Sequence, residues 1–219
     1  MSDDNRGISP PEFDEHFIQR LDDLMVWRRD VRHFKTDPLA PGMLDDILDR
    51  AYLAPSVGNS QPWRFVKINS PALRTQIIED FMECNDAALH DYAGETAKLY
   101  ASLKLAGLQD APEHLAVFVN TAPEEGLGLG RKTMPEMLHY STVTALMQMW
   151  LYARARHVGI GWVSILNPER VKTIVDVPPH WDFISYLCIG YPQQETNIPT
   201  LEKVGWQARV NREKFTQER

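Results

Sequence analysis

The stretch Leu115 to Asn120 (LAVFVN) constrains the fold most. It is short and continuously apolar, and a run of that kind reads as a buried central strand rather than one with a wet face. Other strands are expected at Trp63–Ile68 (WRFVKI), at Phe183–Ile189, closed by Gly190, Tyr191 and Pro192, and, as strand or extended chain, at Gly159–Leu166. Helical spacing separates them. Phe13, Phe17, Leu21, Leu24 and Met25 fall on one face of a helix over 12–27, with acids early and Arg28 and Arg29 at its end. A second helix starts near Pro41 and runs through Met43, Leu44, Ile47, Leu48 and Ala51 until Pro55 stops it. Residues 71–108 read as largely helical, and 168–175 as a short helix. The span 136–157 is long enough for a central helix, with Met137, Leu138, Val143, Leu146, Met147 and Trp150 mostly internal. At 219 residues and 43% hydrophobic, the chain fits one domain over 1–219, either α/β or α+β. Residues 1–11 are expected to be flexible, and the polar tail 200–219 to wrap a partner subunit.

A net charge of -7 argues against nucleic-acid binding, which needs surplus Lys and Arg to displace counterions. No stretch approaches the roughly 18 apolar residues of a membrane span, and the first twenty residues lack an apolar core, so a cytoplasmic protein without a membrane partner is expected. Cys84 and Cys188 stand far apart with no zinc-finger spacing, and the seven His are scattered without an HExxH. They read as buried free thiols and as histidines as easily structural or exposed as catalytic, and no metal is assigned.

Three segments could carry chemistry. Arg28, Arg29 and Arg32 crowd around Asp30 where helical spacing gives way to extended chain at Val31 and Phe34. Arginine grips phosphate through paired hydrogen bonds, so this reads as a phosphate clamp, or else as helix-end and surface charge pairing. The loop Ala54 to Trp63 (APSVGNSQPW) offers amide donors and acceptors suited to the edge of a planar heterocycle, or is a polar turn. Gly126 to Thr133 (GLGLGRKT) resembles a phosphate loop only superficially, because Arg131 stands where that motif needs Gly before its Lys. Ser164 in GIGWVSILNP lacks the GxSxG turn of a hydrolase nucleophile and by itself reads as a strand serine.

Taken in order, RRDVRHF, APSVGNSQPWRF, GLGRKTMPE, GIGWVSILNP and IGYP resemble the nitroreductase-like flavoproteins over about residues 20 to 205, and within them the flavin destructases that make 5,6-dimethylbenzimidazole. Asp30 inside RRDVRHF, the GLGRKTMPE loop and GWVSIL are the more specific signals. The resemblance implies an α+β fold with a central, mostly antiparallel sheet flanked by helices, and an intertwined homodimer with FMN at the subunit interface. Arg28, Arg29 and Arg32 would hold the phosphate and ribityl chain, with Val31 alongside. Ser56, Gly58, Asn59 and Gln61 would approach the isoalloxazine edge, and Leu105 would pack by the flavin. Arg209 in the tail is left outside the set. Reduced FMN would itself be the substrate and molecular oxygen the co-substrate, with erythrose 4-phosphate as the sugar remnant and a separate flavin reductase as supplier. Asp30 would be the base beside the ribityl chain, ionised but weakened by its arginines, and Ser164 would hold a flavin polar atom or a water. The other readings are an NAD(P)H-dependent nitroreductase or flavin reductase, and a flavin carrier needing neither Asp30 nor Ser164.

Overall fold

The computed structural model describes residues 9–95, 97, 99 and 107–219; Leu105 lies outside them. Helix α1 (Glu15–Trp27) begins where Asp14 accepts the Phe17 N–H at 2.8 Å, and it stops at Arg28, whose backbone is extended. Helix α2 (Met43–Ala51) starts after Gly42, which takes φ +79°. Strand β1 (Trp63–Lys67) is followed by α3 (Pro71–Leu89), capped by Ser70, and by the short α4 (Gly107–Asp110). Then come β2 (Glu113–Asn120), α5 (Met137–Ala155), β3 (Gly159–Val163), α6 (Pro168–Val175), β4 (Trp181–Gly190) and α7 (Thr200–Lys203).

The strands form one antiparallel sheet in the order β1-β2-β4-β3, an α+β arrangement with helices on both faces. The apolar run is explained by its place: Leu115 and Val117 of β2 face Ile47, Leu146 and Met149 of α2 and α5, while Ala116 and Phe118 face Ile77 and Val171 of α3 and α6. A strand covered on both sides has no wet face to alternate.

The structure adds to two expectations, for α1 and the tail, and corrects one, for α5. The apolar face of α1 is real but buries no residue in this chain: Phe17 is 44% and Met25 47% exposed. In α5, Leu138, Leu146 and Trp150 are internal, but Val143 and Met147 are 41% and 44% exposed, and their places in the core are taken by Thr142, Ala145, Met149 and Ala153. A helix apolar all round does not declare which face is inward. The near part of the tail folds onto its own chain, with Trp206 edge-on to Tyr92 at 5.6 Å, and the residues beyond it are exposed.

Candidate functional site

After α1 the chain runs extended along the outer edge of β3. Asp30 forms a parallel bridge with Ile160, the Val31 N–H donates to the Ile160 carbonyl at 3.1 Å, and Phe34 anchors the segment in the core with 0% exposure. The Asp30 side chain joins this ladder, because Oδ1 accepts the Trp162 N–H at 2.8 Å. Its Oδ2 lies 3.7 Å from the Arg32 Nε. Burial pushes the Asp30 carboxyl above its ordinary value, and the Trp162 N–H and the charges of Arg32 and Arg28 only partly offset this. The cations do weaken the carboxyl as a base, as expected, but burial outweighs them, although 39% of the side chain remains open.

Arg29, Asp30, Val31 and Arg32 line a cavity of about 500 Å³ whose lining also includes Arg154, Thr200 and Lys203. The Nε atoms of Arg29 and Arg32 are buried without a hydrogen-bond partner, a costly state for donors unless a ligand meets them. Arg28 is placed differently. Its guanidinium lies over the Trp150 ring at 4.9 Å, outside the cavity wall, and burial lowers its pKa, with Asp30 opposing and Arg209 adding to the shift. Trp150 in turn stacks on Trp162 at 6.2 Å.

The Ser56–Gln61 loop is a separate structure. Ser56 Oγ accepts the Gln61 N–H at 3.0 Å, and the Val57 N–H donates to Ser141 Oγ at 3.0 Å. Gly58, Asn59 and Gln61 all take positive φ. The loop interlocks with the glycine-rich one: a Cβ on Gly126 would stand 2.6 Å from the Gly58 carbonyl oxygen, and one on Gly130 2.8 Å from Val57 Cγ2. Those glycines serve close packing. Gly58, Asn59 and Gln61 line, with residues 125–130, an open cleft of about 870 Å³. This cleft and the arginine cavity sit at different levels of α5, one beside Ser141 and the other beside Trp150, about 14 Å apart along the axis. Ser164 follows the end of β3, exposed, and belongs to neither wall.

Sequence reasoning missed Trp150, Trp162, Lys203 and the Arg154–Glu195 pair, joined by two hydrogen bonds of 2.6 and 3.1 Å. For Trp162 the signal was present: two glycines inside one short strand mark a close backbone approach. Among the described residues no cluster of three or more His, Cys, Asp or Glu could hold a metal, and no helix is long and apolar enough to cross a membrane.

The Nitroreductase family model matches residues 25–191. The chain is 52% identical over 199 residues to a 5,6-dimethylbenzimidazole synthase of Rhodospirillum rubrum, covering 91% of this chain and 94% of that one. It is 44% identical to a 5,6-dimethylbenzimidazole synthase of Rhodobacter capsulatus, covering 89% and 94%. Among solved structures, oxidized iodotyrosine deiodinase bound to FMN and 3-iodo-L-tyrosine superposes with a TM-score of 0.68 at 23% identity, over 80% of this chain and 91% of that one. A putative NAD(P)H:FMN oxidoreductase from Staphylococcus epidermidis superposes with a TM-score of 0.68 at 15% identity, over 97% and 100%. The family match across the site-bearing segments, together with the shared fold, means that the chain belongs to the nitroreductase family.

Proposed function

We propose that this protein is an enzyme that fragments reduced FMN with molecular oxygen to 5,6-dimethylbenzimidazole, the lower ligand of cobalamin, releasing erythrose 4-phosphate. The observation that carries the reading is the Asp30 carboxylate, fixed on the edge of β3 beside a cationic cavity, in a chain 52% identical to a relative of that name.

The residues present fit FMN. The unpartnered Nε of Arg29 and the guanidinium of Arg32, whose Nε faces Asp30, match a phosphate, and Lys203 and Thr200 add a cation and a hydroxyl to the cavity lining. Arg28 contributes charge from behind Trp150. The amide groups of Asn59 and Gln61, with the backbone at Ser56 and Gly58, suit the edge of a heterocycle. FMN, bound reduced, supplies both the oxygen-reactive ring and the atoms of the product. Asp30 keeps Oδ1 engaged with Trp162 and so presents Oδ2 as the atom that takes a proton at the ribityl chain. Its raised pKa favours that role, because a base poised nearer neutrality holds an abstracted proton better. Ser164 orients a flavin polar atom or a water.

A homodimer completes the site. The uncovered apolar faces of α1 and α5 are surfaces for a second copy, and a cofactor at their interface can draw on the arginine cavity of one protomer and the Ser56–Gln61 loop of the other. A separate flavin reductase feeds the reaction, in keeping with a cytoplasmic site of action.

The experiment is aerobic incubation of the purified protein with FMN held reduced by an independent reductase, followed by mass analysis. Loss of flavin with appearance of 5,6-dimethylbenzimidazole is the expected result. Intact flavin, with NAD(P)H consumed directly by the protein when a nitroaromatic is added, overturns the reading in favour of an NAD(P)H-dependent nitroreductase.

A further inference from the structure

Strand β3 reads GIGWV, with two glycines in five residues at the edge of the sheet. Glycine there gives up side-chain packing and adds backbone freedom to be lost on folding. Neither Gly159 nor Gly161 has a positive φ, so no turn or left-handed conformation accounts for them. What lies against them does. A Cβ on Gly161 would collide with the carbonyl oxygen of Val31, and one on Gly159 would stand 2.7 Å from Val31 Cγ2 and 3.1 Å from Val31 Cβ.

The polar contacts alternate with these bare positions. Ile160 accepts the Val31 N–H through its carbonyl, and Trp162 donates its N–H to Asp30 Oδ1. Glycine at 159 and 161 lets the Asp30–Val31 backbone settle against the strand. The polar groups at 160 and 162 then fix where it settles.

We infer that Gly161, supported by Gly159, is a positioning residue for Asp30: the missing side chains of β3 set the depth at which the Asp30 carboxylate sits and bring it within reach of the Trp162 N–H. The inference rests on the reading of Asp30 as the proton acceptor, and it assigns to the strand a part in placing that group. The two glycines act differently. Gly161 yields room to a backbone atom of Val31, which every residue at 31 would carry, whereas Gly159 yields room to the Val31 side chain.

That difference supplies the test. Gly159→Ala and Gly161→Ala are each made in the wild-type and in the Val31→Ala background, and three quantities are measured: turnover of reduced FMN, FMN affinity by fluorescence, and titration of Asp30 by carboxyl NMR, its resonance assigned by loss in Asp30→Asn. Gly161→Ala is expected to lower turnover about 100-fold, the order of loss that follows a misplacement of about 1 Å, while flavin affinity changes little. Its Asp30 titration should move down toward the ordinary carboxylate range as the group leaves its buried seat. Gly159→Ala should be costly against wild type and clearly less costly against Val31→Ala, where only the 3.1 Å approach to Cβ remains, whereas Gly161→Ala should be equally costly in both backgrounds. Wild-type turnover and titration in Gly161→Ala, or a turnover loss that merely tracks lost flavin affinity, overturns the inference. So does relief of both substitutions alike by Val31→Ala. If Gly161→Ala does not fold, the Gly159 pair decides by the same criteria. If the wild-type protein makes no benzimidazole, the proposed function fails, while the Asp30 titration still tests the positioning.

Discussion

The indole N–H of Trp150 donates to the carbonyl oxygen of Arg29 at 3.2 Å, tying the middle of α5 to the first residues beyond α1. The same ring carries the Arg28 guanidinium on one side and stacks on Trp162, so one side chain braces the arginine segment and the strand that holds Asp30. Trp150→Phe keeps most of the stack and loses the hydrogen bond, and it should cost about 1 kcal/mol in urea unfolding. Trp150→Ala empties a buried site and should cost about 3 to 5 kcal/mol. Equal losses for the two variants would mean that the ring carries no packing weight.

Asp30→Asn should abolish benzimidazole formation while leaving FMN affinity within a few-fold, as fluorescence titration would report. The amide oxygen still accepts from Trp162, so the backbone stays in place. Full turnover in this variant would remove Asp30 from the chemistry. A stability effect of opposite sign should accompany the loss. Because the folded-state pKa of Asp30 is raised, the folded protein holds its proton to higher pH than the unfolded chain, and stability from this group is lost as pH rises through the folded value. Asp30→Asn should therefore gain stability relative to wild type as pH is raised through the carboxylate range, read as a difference in Tm.

The arginine cavity should distinguish FMN from riboflavin. Removing the phosphate leaves the Arg29 and Arg32 donors unmet and should weaken binding about 10- to 100-fold, most strongly at low salt. Arg32→Ala should weaken FMN far more than riboflavin. Equal weakening of both ligands would place the phosphate elsewhere.

His114 gives the fold an acid limit independent of the site. Its Nδ1 lies 2.9 Å from the Tyr186 hydroxyl, and burial, helped by the Arg74 charge and opposed by a hydrogen bond to the Ala111 backbone, lowers its pKa to about 4. Between that value and the ordinary histidine value the unfolded chain binds more protons, so stability should fall as pH drops across this window, by on the order of 3 kcal/mol. His114→Gln should flatten that slope. An unchanged slope would assign the acid sensitivity to other groups.

The interlocked loops should fail together. Gly126→Ala places a methyl group against the Gly58 carbonyl at a positive φ, and it should cost about 1 to 3 kcal/mol while loosening flavin binding. Flavin titration beside a melting curve would show both effects. A destabilised variant with wild-type affinity would detach the Ser56–Gln61 loop from the flavin.

Much of this architecture was legible because the residues concerned answer to local rules. The LAVFVN run had to be covered on both faces, and Pro168 to Val175 forms a helix over the expected bounds, with Asn167 capping its first turn. The RRDVR cluster stands out as three cations around one acid where a helix ends, a pattern that suits either an anion or surface charge pairing. What could not be read were relationships between distant segments. Val143 and Met147 look like core residues in a helix apolar on every side, and only the packing of α2 and the sheet selects the other face. The close packing of the glycine-rich loop depends on Gly58, far away in the chain. The Asp30 pKa illustrates the same limit: the neighbouring arginines are visible in the sequence, whereas the burial that outweighs them is not.

Asp30 also finishes the sheet. With its carboxylate on the Trp162 N–H and its neighbour on Ile160, the segment occupies the free border of β3, the kind of border through which strands of different molecules join. A substitution that keeps an acceptor, such as Asn, leaves that border closed, whereas Asp30→Ala bares a donor at it. The carboxylate proposed as the proton acceptor thus also covers a sheet edge, so a substitution at position 30 is expected to alter self-association as well as turnover.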